Sequence, residues 1–241
     1  MKIIFAPSKG MKFKNINFKE EKEIFFKEKT DILINKLKTF SKEEIEKLFK
    51  IKGNLLEETY KNIQDFENLN FYPTLSLYDG VTFRQLNYKV YSENEINFLN
   101  ENLFIFSALY GVLSPNTKIK PYRLDMTVNF LDESLYKFWS EEVNNFLKKY
   151  ENEIFINLSS KEFSKLLNNK IFNVIDIEFR QNVDEKLKNI STEAKKARGL
   201  FLDYLTLNHI KDIEKIKNFS KDGYKFSIEN SNENKFFFIK D

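Results

Sequence analysis

Three cations in the C-terminal third of the chain are the clearest candidates for chemistry. Lys195, Lys196 and Arg198 fall in the first two turns of a helix that the spacing of apolar residues predicts over residues 191–208. Cations at a helix start oppose the helix dipole, so their position is unfavourable unless an anion binds there. Because backbone amides at a helix start also bind anions, the segment predicts a phosphate site. The alternative is a solvated basic face in a lysine-rich protein.

A second cluster places a phenol, a guanidinium and a carboxylate within four residues. Tyr122, Arg123 and Asp125 follow Pro121, and alternate residues of an extended chain point the same way. Arg123 and Asp125 would then either pair with each other or face a ligand together. In the second case Arg123 would hold a phosphate or a base edge, and Asp125 would act as a general base.

Polar residues also follow three predicted strands at the points where their apolar runs end. The runs are Lys2–Ala6, Phe104–Phe106 and Glu153–Leu158. If these strands share one largely parallel sheet, their polar ends meet at its carboxyl edge, where open α/β sheets bind ligands. This convergence predicts one pocket, with Lys9 as a further cation and with these polar lining residues: Ser8, Ser107, Tyr110, Tyr122, Asn157 and Ser159.

Glu162 has two interpretations. With Ser159 it forms the pattern of a capping box at a helix start, which is a structural role. Alternatively, it is a carboxylate of the pocket. Glu162 and Asp125 would then be the candidates for acid–base or nucleophilic catalysis.

The remaining sequence predicts an α/β fold in a single domain of residues 1–241, with a mixed, largely parallel sheet. Capping boxes at Ser41-Lys-Glu-Glu44 and Ser92-Glu-Asn-Glu95 each predict a helix start. The first opens a helical hairpin over about residues 41–66, with a turn at Gly53. This hairpin is either an ordinary one or a degenerate helix-hairpin-helix whose amides hold DNA phosphates. The runs at residues 224–228 and 235–239 predict a C-terminal β-hairpin.

The composition excludes several kinds of site. The chain contains no cysteine and a single histidine, His209, so disulfides, thiolate metal sites and cysteine nucleophiles are excluded, and no metal or cofactor is expected. The net charge is only +3, from 39 basic and 36 acidic residues, so nucleic-acid binding would need a local basic patch. No apolar run reaches the length of a signal peptide or a membrane span, which predicts a cytoplasmic protein.

Several separated blocks of sequence carry a resemblance that covers essentially the whole chain. They are Pro7–Lys9, Ser107–Leu113, Pro121–Met126, Leu135–Trp139, Asn157–Ser160 and Ala194–Leu200. In order and spacing these blocks resemble the YaaA family of bacterial peroxide-stress proteins. The resemblance implies a compact α/β protein with a positively charged cleft and a helix-hairpin-helix element. It also implies a protein that binds DNA and helps to limit iron-dependent damage during hydrogen peroxide stress.

Under this hypothesis double-stranded DNA is the expected partner. Lys195, Lys196 and Arg198 would contact its phosphates, with Lys9 and Arg123 nearby in the cleft, and the pocket residues would engage a base or a sugar. One alternative is an enzyme that acts on a nucleotide or a nucleic-acid base by cleaving the glycosidic bond between base and sugar, with a nucleotide-like small molecule as its ligand. Another is iron sequestration by carboxylates, although the sequence shows no dense carboxylate cluster.

Overall fold

Short, buried apolar runs form the centre of an eight-stranded sheet. The structure is a computed structural model that describes residues 1–241. Strands β1 and β3 are buried along their whole length, which is why their sequences are continuously apolar rather than alternating. The strands are β1 (Lys2–Phe5), β2 (Tyr72–Pro73), β3 (Leu103–Ser107), β4 (Gly111–Leu113), β5 (Lys118–Ile119), β6 (Ile154–Asn157), β7 (Asn173–Val183), β8 (Lys186–Lys188), β9 (Tyr224–Asn232) and β10 (Lys235–Lys240).

The sheet is mixed and mostly parallel, as the sequence predicts. Its order is β4-β3-β1-β6-β7-β10-β9, with β8 paired to β7, while β2 and β5 form a separate two-stranded sheet. The central strands β3, β1, β6, β7 and β10 are parallel, and β4, β8 and β9 are antiparallel additions. The predicted hairpin of β9 and β10 is confirmed. Its second strand also extends the parallel sheet by pairing with β7, which the sequence did not predict.

Nine helices surround this sheet. Helices α5 and α8 pack against each other and against β3 and β7, and α6 packs against β4. None of the helices combines the length and the apolar character that a membrane crossing requires. The helices are α1 (Lys27–Lys38), α2 (Lys42–Phe49), α3 (Asn54–Gln64), α4 (Thr74–Leu77), α5 (Glu93–Asn102), α6 (Leu135–Leu147), α7 (Lys161–Ser164), α8 (Ser191–Leu207) and α9 (Ile213–Ile216).

The predicted helical hairpin is present as α2 and α3. The capping boxes that start α2 and α5 are both formed, at Ser41 and Ser92. Helix α2 ends at Lys50 in the left-handed conformation, and Gly53 has φ +59°, so the turn needs a glycine there. Helix α3 packs against α1, which attaches the hairpin to the rest of the domain.

A loop of residues 79–85 is clamped between the end of β1 and helix α8. A Cβ atom on Gly80 would lie 2.4 Å from Ser8 Oγ, and a Cβ on Gly199 would lie 2.1 Å from the carbonyl oxygen of Thr82. Neither position has room for a side chain. The two glycines therefore allow the loop to touch both elements at once, and the loop becomes one wall of the site described below.

Replacing Gly199 by alanine is expected to lower the free energy of unfolding by about 1–3 kcal/mol, because overpacking against a backbone carbonyl forces the chain to shift. Urea unfolding followed by the fluorescence of Trp139, the only tryptophan and a fully buried one, measures the change. Thr192→Ala, at an exposed position of the same helix, is the control and should leave the midpoint nearly unchanged. If the Gly199→Ala protein were as stable as the original, that result would contradict the close approach of helix α8 to the carbonyl of Thr82.

Candidate functional site

A cavity of about 470 Å³ opens at the carboxyl ends of β1 and β6. Strand β1 lies between β3 and β6, so the chain order reverses there, at the point where open α/β sheets usually bind ligands. We call this cavity the cleft. Its walls are the segment after β1, the loop of residues 79–85, the segment Tyr122–Asp125, the segment after β6 and the first turns of α8.

The cleft brings together most of the residues that the sequence singled out. Segments more than 100 positions apart meet in it, and the guanidinium of Arg198 and the carboxylate of Asp125 share its surface. The predicted convergence of strand ends is thus found for β1 and β6. The predicted site residues that line the cleft are Ser8, Lys9, Tyr122, Arg123, Asp125, Glu162, Lys195 and Arg198.

Cations outnumber carboxylates in the cleft by five to three. Lys9 Nζ lies 2.6 Å from Asp125 Oδ2, and this pair forms in place of the Arg123–Asp125 pair that the spacing allowed. Arg84 binds Asp79 through Nε and Nη2, with an Nη2–Oδ2 distance of 2.7 Å, and this pairing lowers the pKa of Asp79. The other three cations, which are Arg123, Lys195 and Arg198, form no ion pair.

Of these three cations, Arg198 has the least favourable surroundings for its charge. Its side chain is largely buried, and its Nε has no hydrogen-bond partner. Burial lowers the pKa of Arg198; the nearby Glu178 opposes that shift, but Glu178 already binds Arg180 at 3.0 Å. Because a buried charge without a partner is unfavourable, this side chain favours a bound anion.

Glu162 belongs to the cleft and does not cap a helix. Its Oε1 accepts a hydrogen bond of 2.9 Å from the backbone N–H of Met126. The residue at the start of α7 is Ser160, which makes no side-chain capping bond, so the capping-box interpretation of Ser159 and Glu162 is wrong. Burial raises the pKa of Glu162, the Met126 hydrogen bond partly offsets this, and the charge of Asp125 adds to the increase.

Tyr122 is the only aromatic member of the predicted pocket that reaches the cleft. Its hydroxyl lies 2.7 Å from both Ser107 Oγ and Tyr78 Oη. Burial raises the pKa of Tyr122 to about 12, so the phenol is neutral at physiological pH. Tyr110 packs edge-on against its ring at 5.1 Å and donates its own hydroxyl to the carbonyl of Lys120. Ser107 and Tyr110 therefore lie behind Tyr122 and fix its position, outside the cleft surface.

Three further predicted site residues also lie outside the cleft. Asn157 donates to Asp176 Oδ1 at 2.7 Å, and its own Oδ1 accepts hydrogen bonds from the backbone and hydroxyl of Ser159. These bonds fix the turn after β6. Lys196 binds Asp222 at 3.1 Å, which raises the pKa of this lysine. Successive helix residues are rotated by about 100°, so Lys195 and Lys196 face different directions.

The loop of residues 79–85 contributes groups that the sequence did not identify as part of the site. Asp79 and Arg84 both line the cleft, and Ser8 Oγ donates to the carbonyl of Asp79 at 3.0 Å. Ser160 lines it as well, one position beyond the predicted Ser159. The only sequence signal for the loop was the Asp79-Gly80 pair in a chain with six glycines, because glycine marks turns and close backbone approaches.

The electrostatics of the cleft suit an anion better than a metal ion. Each of its carboxylates already has a donor: Arg84 for Asp79, Lys9 for Asp125 and the Met126 N–H for Glu162. Nowhere in the chain do three or more His, Asp or Glu side chains come together as metal ligands. The cations without partners are the groups free to bind a ligand.

The fold and the cleft thus define an α/β protein with a cavity at the sheet edge in which cations outnumber carboxylates. The family model for peroxide stress protein YaaA matches residues 1–230, so the chain belongs to this family, and the resemblance noted from the sequence is confirmed. Similar proteins include the UPF0246 protein FN1762 of Fusobacterium nucleatum, 44% identical over 100% of this chain and 99% of that protein. The UPF0246 protein MYPE6270 of Malacoplasma penetrans is 39% identical, again over 100% of this chain and 99% of its own length.

Replacing Glu162 by glutamine is expected to stabilise the protein at neutral pH. Folding raises the pKa of this carboxyl, so the stability that it contributes is complete below its unfolded pKa and is lost as the pH rises through the folded value. Glutamine keeps an acceptor for Met126 without the charge. The advantage of the variant should therefore shrink as the pH falls to about 4, just below the ordinary pKa of a glutamate, because Glu162 is then increasingly protonated in both the folded and the unfolded state.

Urea unfolding at the two pH values measures this difference. Glu229→Gln removes a carboxylate at an exposed position of β9 and should show neither the stabilisation nor its pH dependence. A Glu162→Gln protein that is less stable than the original at neutral pH would contradict the proposed environment of this carboxyl.

Proposed function

We propose that this peroxide-stress family member is a cytoplasmic protein that binds DNA through the cleft and thereby helps to limit iron-dependent oxidative damage. The observation that carries the proposal is the set of three cations without ion pairs, Arg123, Lys195 and Arg198, on one concave surface. When such cations bind the phosphates of a nucleic acid, they displace the counterions that surround those phosphates. The resemblance to the family points the same way.

The size of the cleft supports a ligand as large as one nucleotide unit. Its volume of about 470 Å³ falls within the roughly 300–1,000 Å³ of cavities that enclose small molecules. Lys195 and Arg198 would hold a phosphate, because they lie one helical turn apart on the same wall. Ser8, Tyr122 and the Lys9–Asp125 pair would face the attached sugar or base.

The helical hairpin is a second proposed contact with DNA. Gly53 has open space around it, and the first amides of α3 follow it directly. Backbone N–H groups at a helix start can bind a phosphate of the duplex. In this proposal the hairpin holds DNA outside the cleft, while the cleft engages one nucleotide.

We attribute the limitation of iron damage to DNA binding rather than to iron storage. Storage would need several free carboxylates that converge, and the carboxylates of the cleft are already bound by Lys9, Arg84 and the Met126 N–H. A protein that covers DNA would act at the molecule that is damaged.

Lys195→Gln is expected to weaken DNA binding and to make the dependence of affinity on salt less steep. Removing one phosphate contact should change the slope of log affinity against log salt by about 0.9 for duplex DNA or about 0.7 for a single strand. Fluorescence anisotropy with a labelled oligonucleotide, titrated at several salt concentrations, measures both effects.

Lys196→Gln is the matched control, because it removes the same charge from the next residue of the same helix. Lys196 is paired with Asp222 outside the cleft, so its loss should leave the slope unchanged. Equal effects of the two substitutions would show that net charge alone drives binding. That result would refute a phosphate site in the cleft.

A second candidate function is hydrolysis of the glycosidic bond that joins a base to its sugar, in a nucleotide or in a nucleic acid. It is favoured by two carboxyl groups in one cleft with different environments. The raised pKa of Glu162 suits an acid that protonates the departing base. Asp125 would take a proton from a water molecule, whose oxygen bonds to the sugar carbon as the bond to the base breaks, giving a free base and a sugar hydroxyl.

The Asp125→Asn variant distinguishes the two candidate functions, DNA binding alone and glycosidic-bond hydrolysis. If the protein only binds DNA, the variant should retain affinity within a few fold and should restore peroxide resistance to cells that lack the gene. If the protein is an enzyme, affinity should persist while peroxide resistance is lost, since a general base contributes roughly 10²–10⁴-fold to a rate. Asp132→Asn, which removes a carboxylate outside the cleft, controls for the change in net charge.

A further inference from the structure

An exposed pair of aromatic rings, Phe13 and Tyr72, lies beside the cleft. Phe13 is 53% exposed, although it is a large apolar side chain. Its ring centroid is 5.1 Å from that of the half-buried Tyr72, and the planes are inclined by 43°. Tyr72 thus supports one side of the Phe13 ring and leaves the rest of it open to a ligand. An exposed aromatic face is a surface on which a nucleic-acid base can stack.

The pair is connected to the cleft by a short, fixed segment of chain. Gly10 lines the cleft, and Phe13 follows three residues later, a distance of at most about 10 Å in extended chain. The backbone N–H groups of Lys12 and Lys14 donate to the carbonyls of Leu77 and Ser76, at 2.9 and 2.8 Å. These bonds hold the segment in place, so the ring does not depend on a loose loop for its position.

Two lysines, Lys12 and Lys14, flank Phe13 in this segment. Lys12 is exposed and forms no ion pair. Lys14 Nζ lies 3.6 Å from Asp79, but that carboxylate is also bound by Arg84, so two cations share one anion. A polyanion that follows this segment out of the cleft would pass these cations as well as the aromatic ring.

We propose that Phe13, supported by Tyr72, is a stacking platform for an unpaired base of the strand whose phosphate occupies the cleft. The ligand class is single-stranded or partly single-stranded nucleic acid, since a paired base is already stacked within its duplex and cannot reach the ring. Every base has a π face, so the platform accepts any sequence. This inference rests on the proposed function, and it narrows the DNA that the cleft binds from an intact duplex to an unpaired segment.

The test is binding of a labelled oligo-deoxythymidine to Phe13→Ala. Loss of one base–aromatic stack should weaken binding roughly 5- to 100-fold, from the typical energy of such a stack and tenfold per 1.4 kcal/mol. The original protein should also prefer the oligonucleotide to a blunt duplex of the same length. The Phe13→Trp variant should keep the affinity of the original protein, and the fluorescence of its indole at position 13 should be quenched when the oligonucleotide binds.

Phe71→Ala is the matched control. Phe71 is 52% exposed, nearly the same as Phe13, but its ring lies against Lys120 instead of Tyr72. Its removal should leave affinity unchanged. An equal loss in both variants, no quenching in Phe13→Trp, or a preference for the blunt duplex would each overturn the platform.

The outcomes also separate this inference from the proposed function. If Lys195→Gln weakens binding of the oligonucleotide and Phe13→Ala does not, the platform is refuted and the phosphate site in the cleft stands. If the original protein binds neither DNA at low salt, both are refuted.

Discussion

The burial of Arg198 with too little opposing charge is the constraint on which the site depends. Three residues along α8, Phe201 is fully buried against Phe179 of β7, so the apolar side of the helix fixes its rotation. Gly199 fixes its distance from the loop of residues 79–85. The helix cannot turn to expose the guanidinium without losing these contacts. The packing of the core thereby holds a charge where water solvates it poorly, and a bound anion would relieve that cost.

A second consequence of the same packing is a rigid floor for the cleft. Tyr122 is tied to Ser107 and Tyr78 by hydrogen bonds and rests on the ring of Tyr110. Each hydroxyl in this network has a hydrogen-bond partner. Because none of these buried polar groups is left unpaired, the network makes the floor rigid and does not destabilise the fold. The tyrosines serve to position one another, and only Tyr122 lines the cleft. The polar ends of the strands therefore divide into an inner layer that supports and an outer layer that lines the cleft.

This division explains how far the sequence could predict the site. The ends of β1 and β6 were predictable because short apolar runs followed at once by polar residues are typical of parallel strands, and the shared edge of the sheet brings those residues together. The direction of each side chain was not predictable. Lys195 and Lys196 differ only by one step of helix rotation, and Ser159 and Ser160 by one residue of a turn, yet only one of each pair lines the cleft.

The fold could be predicted to a similar extent: its local elements were predictable, but its long-range pairings were not. Periodicity located the helical hairpin, the long helix α8 and the C-terminal hairpin, because each is a local pattern. The parallel pairing of β10 with β7 joins residues far apart in sequence, and nothing in either strand specifies the other. The loop of residues 79–85 is a similar case. Its place in the site depends on the room that Gly80 and Gly199 leave for Ser8 and Thr82, which is a property of the assembled structure.

An anion bound in the cleft would couple its own binding to proton uptake by Glu162. Its pKa is already raised by burial and by Asp125, and Lys9 and Lys195 act in the opposite direction. A phosphate that binds beside Lys195 would neutralise part of that opposing charge and bring a new negative charge close to the carboxyl. Both effects favour the protonated form of Glu162. Its carboxyl would then become a hydrogen-bond donor when the anion is in place, so the ligand itself would convert this residue from a repelling charge into a group that can hold or protonate it.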